Sequence, residues 1–399
     1  MSKLFDKIKK DLVKKNEYTF TMDEENPYEV KMWVDTGCYV LNAVLSDGDI
    51  KKGLPQGKRI MIAGEPSTAK SYLTCFIISK YLNEVENSKA VIFESEGASV
   101  VKMLRDVGVP EDRIVIVPTI SIEQCRTMMI NTLESIIDEK YHYVTSYTEK
   151  GEKKRKKLTK EEIKKKIEKD GEYNENYIFV IDSLGMLPTE KEINDVSTGS
   201  DKKDMTRAQI LKGFGRTISL KLSVAQTPLI IVNHMYGTMD QYNPKEISGG
   251  TGPKYMSDIT LALFKYKEKE NKEQIGVKIK TYVNKSRYMI ENKSVDIMLH
   301  FKKGLNPWSN IVQLAYDLGV FKKEGFSFIL PNGNKAKMKD VAAKPKTYID
   351  DVCFEAIREA IMNNFGFSNK GEIDEEINIE DNEDEIVFEE DEGQPEDSK

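Results

Sequence analysis

Short apolar runs alternate along the chain with longer stretches in which apolar residues return every third or fourth position. Residues 59–63, 90–93, 177–181, 229–233, 259–263 and 277–283 predict strands, and 71–82, 100–107 and 122–137 predict helices between them. The first four runs are continuously apolar, as strands covered on both faces require. This order predicts an α/β fold, a twisted and mostly parallel sheet flanked by helices.

The ends of the chain break the pattern. Leu4, Ile8 and Leu12 stand at i, i+4 and i+8 among lysines, which predicts a short amphipathic helix over residues 2–15 that docks on something. Polar residues 22–28 link it to the body, so residues 1–34 form an N-terminal arm and 35–295 the core. Residues 296–370, with Trp308, Leu314, Leu318, a turn at 331–334 and a helix near 348–363, predict a small C-terminal α+β domain. A charged insertion falls at about 141–172. Residues 149–172 hold 11 basic and 7 acidic residues and include Lys153-Lys154-Arg155-Lys156-Lys157. It reads as a solvated surface segment, part disordered and part helix, without a core of its own.

Charge changes the picture more than composition does. The formal net charge of the 399 residues is -6, from 60 Lys+Arg and 66 Asp+Glu. Residues 371–399 carry 15 acidic residues against one lysine, so the remaining body is basic, at +8. A basic body with a disordered acidic tail points to a polyanion partner and a built-in competitor for it; a solubilising tail is the plainer alternative. The four cysteines (Cys38, Cys75, Cys125, Cys353) are far apart with no CxxC pair, which disfavours disulfides and zinc. No apolar run approaches membrane-spanning length, so a reducing cytoplasm is expected and a membrane partner is not.

Gly64-Glu65-Pro66-Ser67-Thr68-Ala69-Lys70-Ser71 follows a predicted strand and opens a predicted helix. This is the layout G-x-x-x-x-G-K-[ST] with Ala69 in place of the second glycine. Loop N–H groups would cradle phosphates, Lys70 would neutralise them and Ser71 would ligate Mg²⁺, with Tyr72 completing the set along the helix. Ala69 fits only if its φ is negative; in the left-handed region it would cost about 1–2 kcal/mol. The apolar run 177–181 ends at Asp182, which would hold the metal with Ser71. Another run ends in Glu94-Ser95-Glu96, making Glu96 the candidate base for the attacking water and Glu94 the runner-up.

Further segments line up in order: Leu104-Arg105-Asp106-Val107-Gly108-Val109, Asp204-Met205-Thr206-Arg207-Ala208, Val232-Asn233-His234, Gly249-Gly250-Thr251-Gly252-Pro253 and Lys285-Ser286-Arg287. Together with the phosphate loop and the Asp182 strand they resemble RecA-type recombinases, most of all the UvsX recombinases of T-even-like phages, over roughly residues 35–320. The resemblance implies a RecA-like P-loop core whose N-terminal arm serves polymerisation. It implies a DNA-dependent ATPase, with ATP and Mg²⁺, that forms helical filaments on single-stranded DNA and exchanges strands with homologous duplex. Recombination, repair and recombination-dependent replication would be its settings. A single-stranded-DNA-binding protein and a recombination mediator would be its helpers, in a host bacterial cytoplasm if phage-encoded.

By the same resemblance Glu96 is the catalytic glutamate, and His234 after Asn233 senses the γ-phosphate. Lys285 and Arg287 reach the neighbour's ATP, sharing one face of a strand at i, i+2. Lys254 and Tyr255 make another contact between subunits, and Met103 stands where the family often stacks a tyrosine on adenine. Two mobile loops, about 190–204 and 235–252 with Gly249 and Gly250, would touch DNA, and Arg207, Lys212 and Arg216 would meet its phosphates. A hexameric RecA-fold helicase and a non-catalytic DNA-binding paralogue share parts of this pattern. The short N-terminal arm disfavours the first, and the retained Lys70, Ser71, Asp182 and Glu96 disfavour the second. Deleting residues 371–399 removes about 14 units of competing negative charge, so duplex binding at moderate salt should strengthen; an unchanged salt profile would rule out screening by the tail.

Overall fold

The computed structural model describes residues 3–15, 19–24, 26–97, 99–147, 153–199, 206–237, 245–250, 252–270, 273–300 and 304–367. The acidic tail therefore lies outside the described residues, as do the end of the first predicted DNA loop and the middle of the second.

Nine strands follow one another along one sheet: β1 (Arg59–Gly64), β2 (Ser88–Glu94), β3 (Ile114–Pro118), β4 (Asn176–Asp182), β5 (Leu229–Gly237), β6 (Ile259–Glu270), β7 (Glu273–Lys285), β8 (Ser294–His300) and β9 (Gly304–Leu305). Their order in space is β9-β8-β7-β6-β1-β5-β4-β2-β3, with a short strand, Lys245–Ile247, pairing on β5. From β6 to β3 all neighbours are parallel; β7, β8 and β9 are antiparallel additions. The mostly parallel α/β sheet read from the sequence is present.

Alternate residues of the central strands enter two different cores. Ile60, Ile62, Ile92, Val180 and Ile230 pack on one face, while Met61, Ala63, Phe93, Ile181 and Ile231 pack on the other. That explains the unbroken apolar runs, since helices cover both sides. Helix α1 (Lys70–Glu84) lies over the first core, and α2 (Ile122–Lys140) and α3 (Arg207–Ala225) lie over the second.

Four expectations need correction. The boundary at 295/296 cuts through β8, whose Val295, Ile297 and Leu299 are buried in the main core. Residues 306–365 also close onto that core: the Asp351–Phe365 helix packs through Phe354 on Tyr39, and Arg358 pairs with buried Asp49 at 2.6 Å. The insertion, read as part disordered and part helix, holds the expected helix and also a hairpin that the reading did not include; residues 148–152 fall outside the described residues. Tyr143–Tyr147 and Lys153–Lys157 form an antiparallel hairpin, and Lys160–Asp170 forms a helix with a Thr159–Glu162 capping box. β3 escaped the sequence reading because it is an exposed edge strand. The first predicted DNA loop begins as a helix, Glu190–Ser197, with its own Thr189–Glu192 capping box. The N-terminal helix is Lys3–Lys15 as expected, with Leu4, Ile8 and Leu12 exposed.

At the N-terminal edge of the sheet, Arg59 and Asp258 are both buried and paired twice, Nε to Oδ2 at 3.0 Å and Nη2 to Oδ1 at 2.8 Å. Arg59 also donates to the Gly215 carbonyl of α3 at 3.1 Å, so one guanidinium joins β1, α3 and the start of β6. Removing Arg59 leaves buried Asp258 with only the exposed Arg287 beside it, so Arg59→Ala should cost about 3 kcal/mol in urea unfolding. The double replacement Arg59→Met with Asp258→Leu should cost less than either single truncation.

Candidate nucleotide site and DNA interface

The ladder brings the predicted phosphate-site residues into one row. Gly64 is in register with His234 on one side and Leu263 on the other, and Glu94 is in register with Asp182. All stand at the C-terminal edge of the parallel strands, where a crevice opens for ligands. A Cβ at Gly64 would meet Thr68 Oγ1 at 2.6 Å and the Leu263 carbonyl at 2.9 Å, so the loop turns here only with glycine.

The loop is held from within. Thr68 Oγ1 and Lys70 Nζ donate to the Glu65 carbonyl at 2.8 and 2.7 Å. Ser67 and Ala69 have φ of 64° and 65°, both left-handed. The condition that made Ala69 harmless is therefore not met, and the methyl costs about 1–2 kcal/mol where glycine would be free. Lys70 begins α1 and is buried, and that burial lowers its pKa against the pull of Glu96, Asp182 and Glu65. Pro66 is exposed at the loop tip.

Asp182 is nearly covered, and its Oδ1 has no hydrogen-bond partner among the described residues. Burial pushes its carboxyl up to about 6, against a hydrogen bond from Ser71 and with the Glu96 and Glu94 charges adding to the rise. Ser71 and Asp182 thus stand together, as a shared metal would require. Glu96 Oε1 accepts from Ser183 Oγ at 2.6 Å and meets His234 Nε2 at 3.1 Å, while Ser183 Oγ lies 3.2 Å from the same ring nitrogen. Burial alone would raise the Glu96 carboxyl; Ser183, His234 and Lys70 hold it below the ordinary range. Such a group is ionised at neutral pH and suits orienting a water more than storing a proton. Glu94 instead accepts the Glu96 backbone N–H at 2.8 Å, which braces Glu96.

Ser183 is the member that the sequence reading missed. It is fully buried, and its N–H donates to Ser95 Oγ at 3.0 Å. Its only sequence signal is a hydroxyl next to the strand-ending aspartate.

No family model matches the chain. It is 28% identical over 290 residues to a "Recombination and repair protein" of Enterobacteria phage T4, which covers 73% of this chain and 65% of that relative. It is 24% identical to "Protein RecA" of Phytoplasma mali over 81% of this chain and 83% of the relative, and 26% identical to that of Thermus aquaticus over 42% and 50%. The chain is related to the RecA-type recombinases. It spans 65% of the length of the phage relative.

The cations matched to the RecA-type subunit contact lie at the other end of the sheet. Lys285 is the last residue of β7 and pairs with Thr260, near the start of β6. Its ammonium donates to the Lys254 and Ser257 carbonyls at 2.5 and 2.7 Å. Arg287 lies beyond the strand, so the two do not share a strand face; its Nε is 3.4 Å from Asp258 Oδ1 and the residue is exposed. Lys254 and Tyr255 are exposed beside them on the Gly252–Met256 helix. None of the four is at its own chain's phosphate loop.

The three cations proposed for DNA phosphates separate. Arg207 is a structural clamp, donating to the carbonyls of Leu187 at 2.6 Å, Leu184 at 3.2 Å and Gly185 at 3.3 Å, with Glu192 at 3.2 Å. Nine residues on, Arg216 is about 180° around the helix and exposed. Lys212 sits over the Tyr255 ring at 4.9 Å. Helical phase, not distance along the chain, removes Arg207 from that surface.

Where described, the second loop is a hairpin base. Lys245–Ile247 pairs with β5, and Ser248 receives the Asn233 amide at 3.0 Å through its carbonyl. Gly249 and Gly250 follow with φ of 97° and 62°. Lys245 Nζ lies 3.3 Å from Glu65 Oε1, joining this hairpin to the phosphate loop. Residues 200–205, 238–244 and Thr251 fall outside the described residues. Tyr72 packs edge-on against Phe76, and Met103 packs half-buried on the first core.

The folded pKa of Asp182, about 6, lies above the ordinary aspartate value of 3.8. The folded state therefore binds that proton more tightly, and stability is lost as pH rises between those values. Asp182→Asn removes the cost. It should raise Tm at pH 7, by up to about 3 kcal/mol in stability, and leave Tm near parental at pH 4. A gain at pH 4 as large as at pH 7 would refute this.

Proposed function

We propose that this chain is an ATP-dependent DNA recombinase. ATP and Mg²⁺ bind at the phosphate loop of one protomer and are completed by Lys285 and Arg287 of the next. The resulting filament holds single-stranded DNA and pairs it with homologous duplex. The residues fit the nucleotide: a loop that tolerates no Cβ at Gly64, a buried ammonium at Lys70, and a buried carboxylate at Asp182 with an unpartnered oxygen beside Ser71. Mg²⁺ would supply charge neutralisation at the phosphates, held by Ser71 and Asp182. Glu96 would orient the attacking water, positioned by Ser183 and Glu94.

The observation that carries this reading is the separation of the two halves of the site. The Lys70, Asp182 and Glu96 half is at one edge of the sheet and the Lys285 and Arg287 half is at the other. Only a head-to-tail neighbour can bring them together, and that arrangement propagates into a ring or a helix. The Glu96–His234 contact gives a direct link from the reacting end of a bound triphosphate to the second loop, because β5 continues from His234 into that hairpin. A single-stranded-DNA-binding protein and a mediator belong to the same reading. No helix among the described residues is long and apolar enough to cross a membrane, and a bacterial cytoplasm is the proposed setting.

The test is strand exchange with homologous and non-homologous duplex, with and without ATP, together with phosphate release. Glu96→Gln should permit ATP-dependent filaments while slowing hydrolysis at least tenfold. Lys70→Ala and Arg287→Ala should each be inactive alone. An equal mixture should recover up to about a quarter of parental hydrolysis, since some junctions then pair an intact loop with an intact arginine. No recovery would sink the shared site, and closed rings by electron microscopy would favour a helicase.

A further inference from the structure

Arg207 opens α3 directly after the first predicted DNA loop, and its guanidinium ties the far end of that loop to the near end. Nη1 donates to the Leu187 carbonyl at 2.6 Å and to Glu192 Oε2 at 3.2 Å, while Nη2 donates to the Leu184 and Gly185 carbonyls at 3.2 and 3.3 Å. The same Glu192 oxygen accepts the Thr189 N–H at 2.7 Å, so the capping box of the Glu190–Ser197 helix and the clamp share one carboxylate. Three carbonyls and a carboxylate converging on one cation suit the planar, five-donor guanidinium; an ammonium has only three donors.

The clamped turn is also a wall of the hydrolytic site. Leu184–Met186 forms a single tight turn that starts at Ser183, with the Met186 N–H donating to the Ser183 carbonyl at 3.3 Å. Gly185 stands so close to β5 that a Cβ would come within 2.9 Å of Asn233 Oδ1 and of the His234 ring. Ser183 Oγ reaches Glu96 at 2.6 Å and His234 Nε2 at 3.2 Å. One hydroxyl proton serves two neighbours here, so a shift of roughly a few tenths of an ångström in the turn changes how Glu96 is presented to a water. The base of the loop is fixed separately on α2, where the Pro188 carbonyl accepts the Ile122 N–H at 3.0 Å and Glu123 Oε2 accepts the Glu190 N–H at 3.1 Å.

We propose that Arg207 is a positioning residue that couples the first loop to ATP hydrolysis. Single-stranded DNA engaging that loop shifts the Glu192–Arg207 clamp, the clamp resets the turn at residues 184–187, and the turn sets the Ser183 hydroxyl against Glu96. The second loop reaches the same triangle by another route, because β5 runs from His234 into the Lys245–Ile247 hairpin. Glu96 is then addressed from both loops, through Ser183 by the first and through His234 by the second. The inference rests on the recombinase reading and adds the regulation of its site.

The test uses full-length protein with Arg207→Met, which removes the donors at similar length, and Arg207→Lys, which keeps the charge. Single-stranded DNA is titrated with and without a non-hydrolysable ATP analogue, and phosphate release is measured with and without saturating single strand. Coupling in binding is reciprocal, so the analogue raises single-strand affinity in the parent by the factor through which the strand acts on the nucleotide. Both variants should lose that factor by about fivefold or more, with a comparable fall in the ratio of strand-stimulated to strand-free hydrolysis. Their nucleotide-free affinity for single strand should stay within about twofold of the parent, because Arg207 faces carbonyls and not the DNA surface. Coupling retained within about twofold in either variant overturns the proposal. So does a nucleotide-free affinity that falls about tenfold in Arg207→Met and returns in Arg207→Lys, the mark of a phosphate contact. Should Arg207→Met fail to fold, Glu192→Gln loosens the clamp from the loop side; a loss of about threefold or more in the same factor supports the proposal and an unchanged factor overturns it. A parent whose hydrolysis ignores single-stranded DNA sinks the recombinase reading and the proposal together, whereas variants that keep the parent's response sink the proposal alone.

Discussion

Where the central parallel strands run through the cores, over residues 60–63, 90–93, 178–181 and 229–232, both faces are covered by side chains and the backbone bonds run to neighbouring strands, so a charged group there finds room only where the covered run stops. Register then decides which strand ends meet. Because Gly64 pairs with His234 and Glu94 with Asp182, four chain segments more than a hundred residues apart at their extremes deliver their polar termini to one line. A slip by one residue in β4 would turn Phe179 and Ile181 to the wrong core as well as displace Asp182. Fold stability and site geometry are thus the same register requirement.

The electrostatics of that line are poised for an added ligand. A buried ammonium, a buried carboxyl pushed upward and a second carboxylate held down by Ser183, His234 and Lys70 stand together. Lys70 and Asp182 depart from their behaviour in water because burial keeps water from them, and Glu96 departs because Ser183, His234 and Lys70 favour its charged form. Ser183 matters here out of proportion to its size. Its hydroxyl touches both Glu96 and His234, and its backbone N–H is tied to Ser95, so the triangle is braced from β2 and β4 together. Gly185, two residues later, lies so close to Asn233 and His234 that a Cβ would come within 2.9 Å of each.

The central strands, α1 and α2 and the phosphate loop were legible because each carries a strong local signal: unbroken apolar runs, helical periodicity, or a spaced motif. What was not legible depends on information that neighbouring residues do not carry. Ala69 gives no sign of its φ, which the whole loop imposes. Arg207, Lys212 and Arg216 look alike in sequence, but helical phase turns the first inward onto the carbonyls of residues 184–187. Trp308 and Phe354 read as parts of a separate domain, although both stack on Tyr39 of the main core. The charged insertion lacked a hydrophobic pattern, and its order comes from a hairpin ladder, one capping box and an ion pair to α2.

The strands beneath the phosphate loop also connect it to the far edge. β1 carries Arg59 at one end and Gly64 at the other, about 17 Å of extended chain between the buried ion pair and the loop. β6 starts beside Asp258, which Arg59 and Arg287 both approach, and reaches Leu263 against Gly64. On the proposed reading, a neighbour's nucleotide engages Lys285 and Arg287 at the first edge while this protomer's own nucleotide sits at the second. Two fully paired strands, buried on both faces, deform little over that distance, so they transmit position and not merely proximity. Lys245 adds a third input, because its ion pair with Glu65 ties the base of the second loop to the same phosphate loop. On the same reading, a displacement of the hairpin by DNA and a displacement of the sheet edge by a neighbour would converge on residues 65–70, and the geometry would couple strand binding to nucleotide state without any additional moving part.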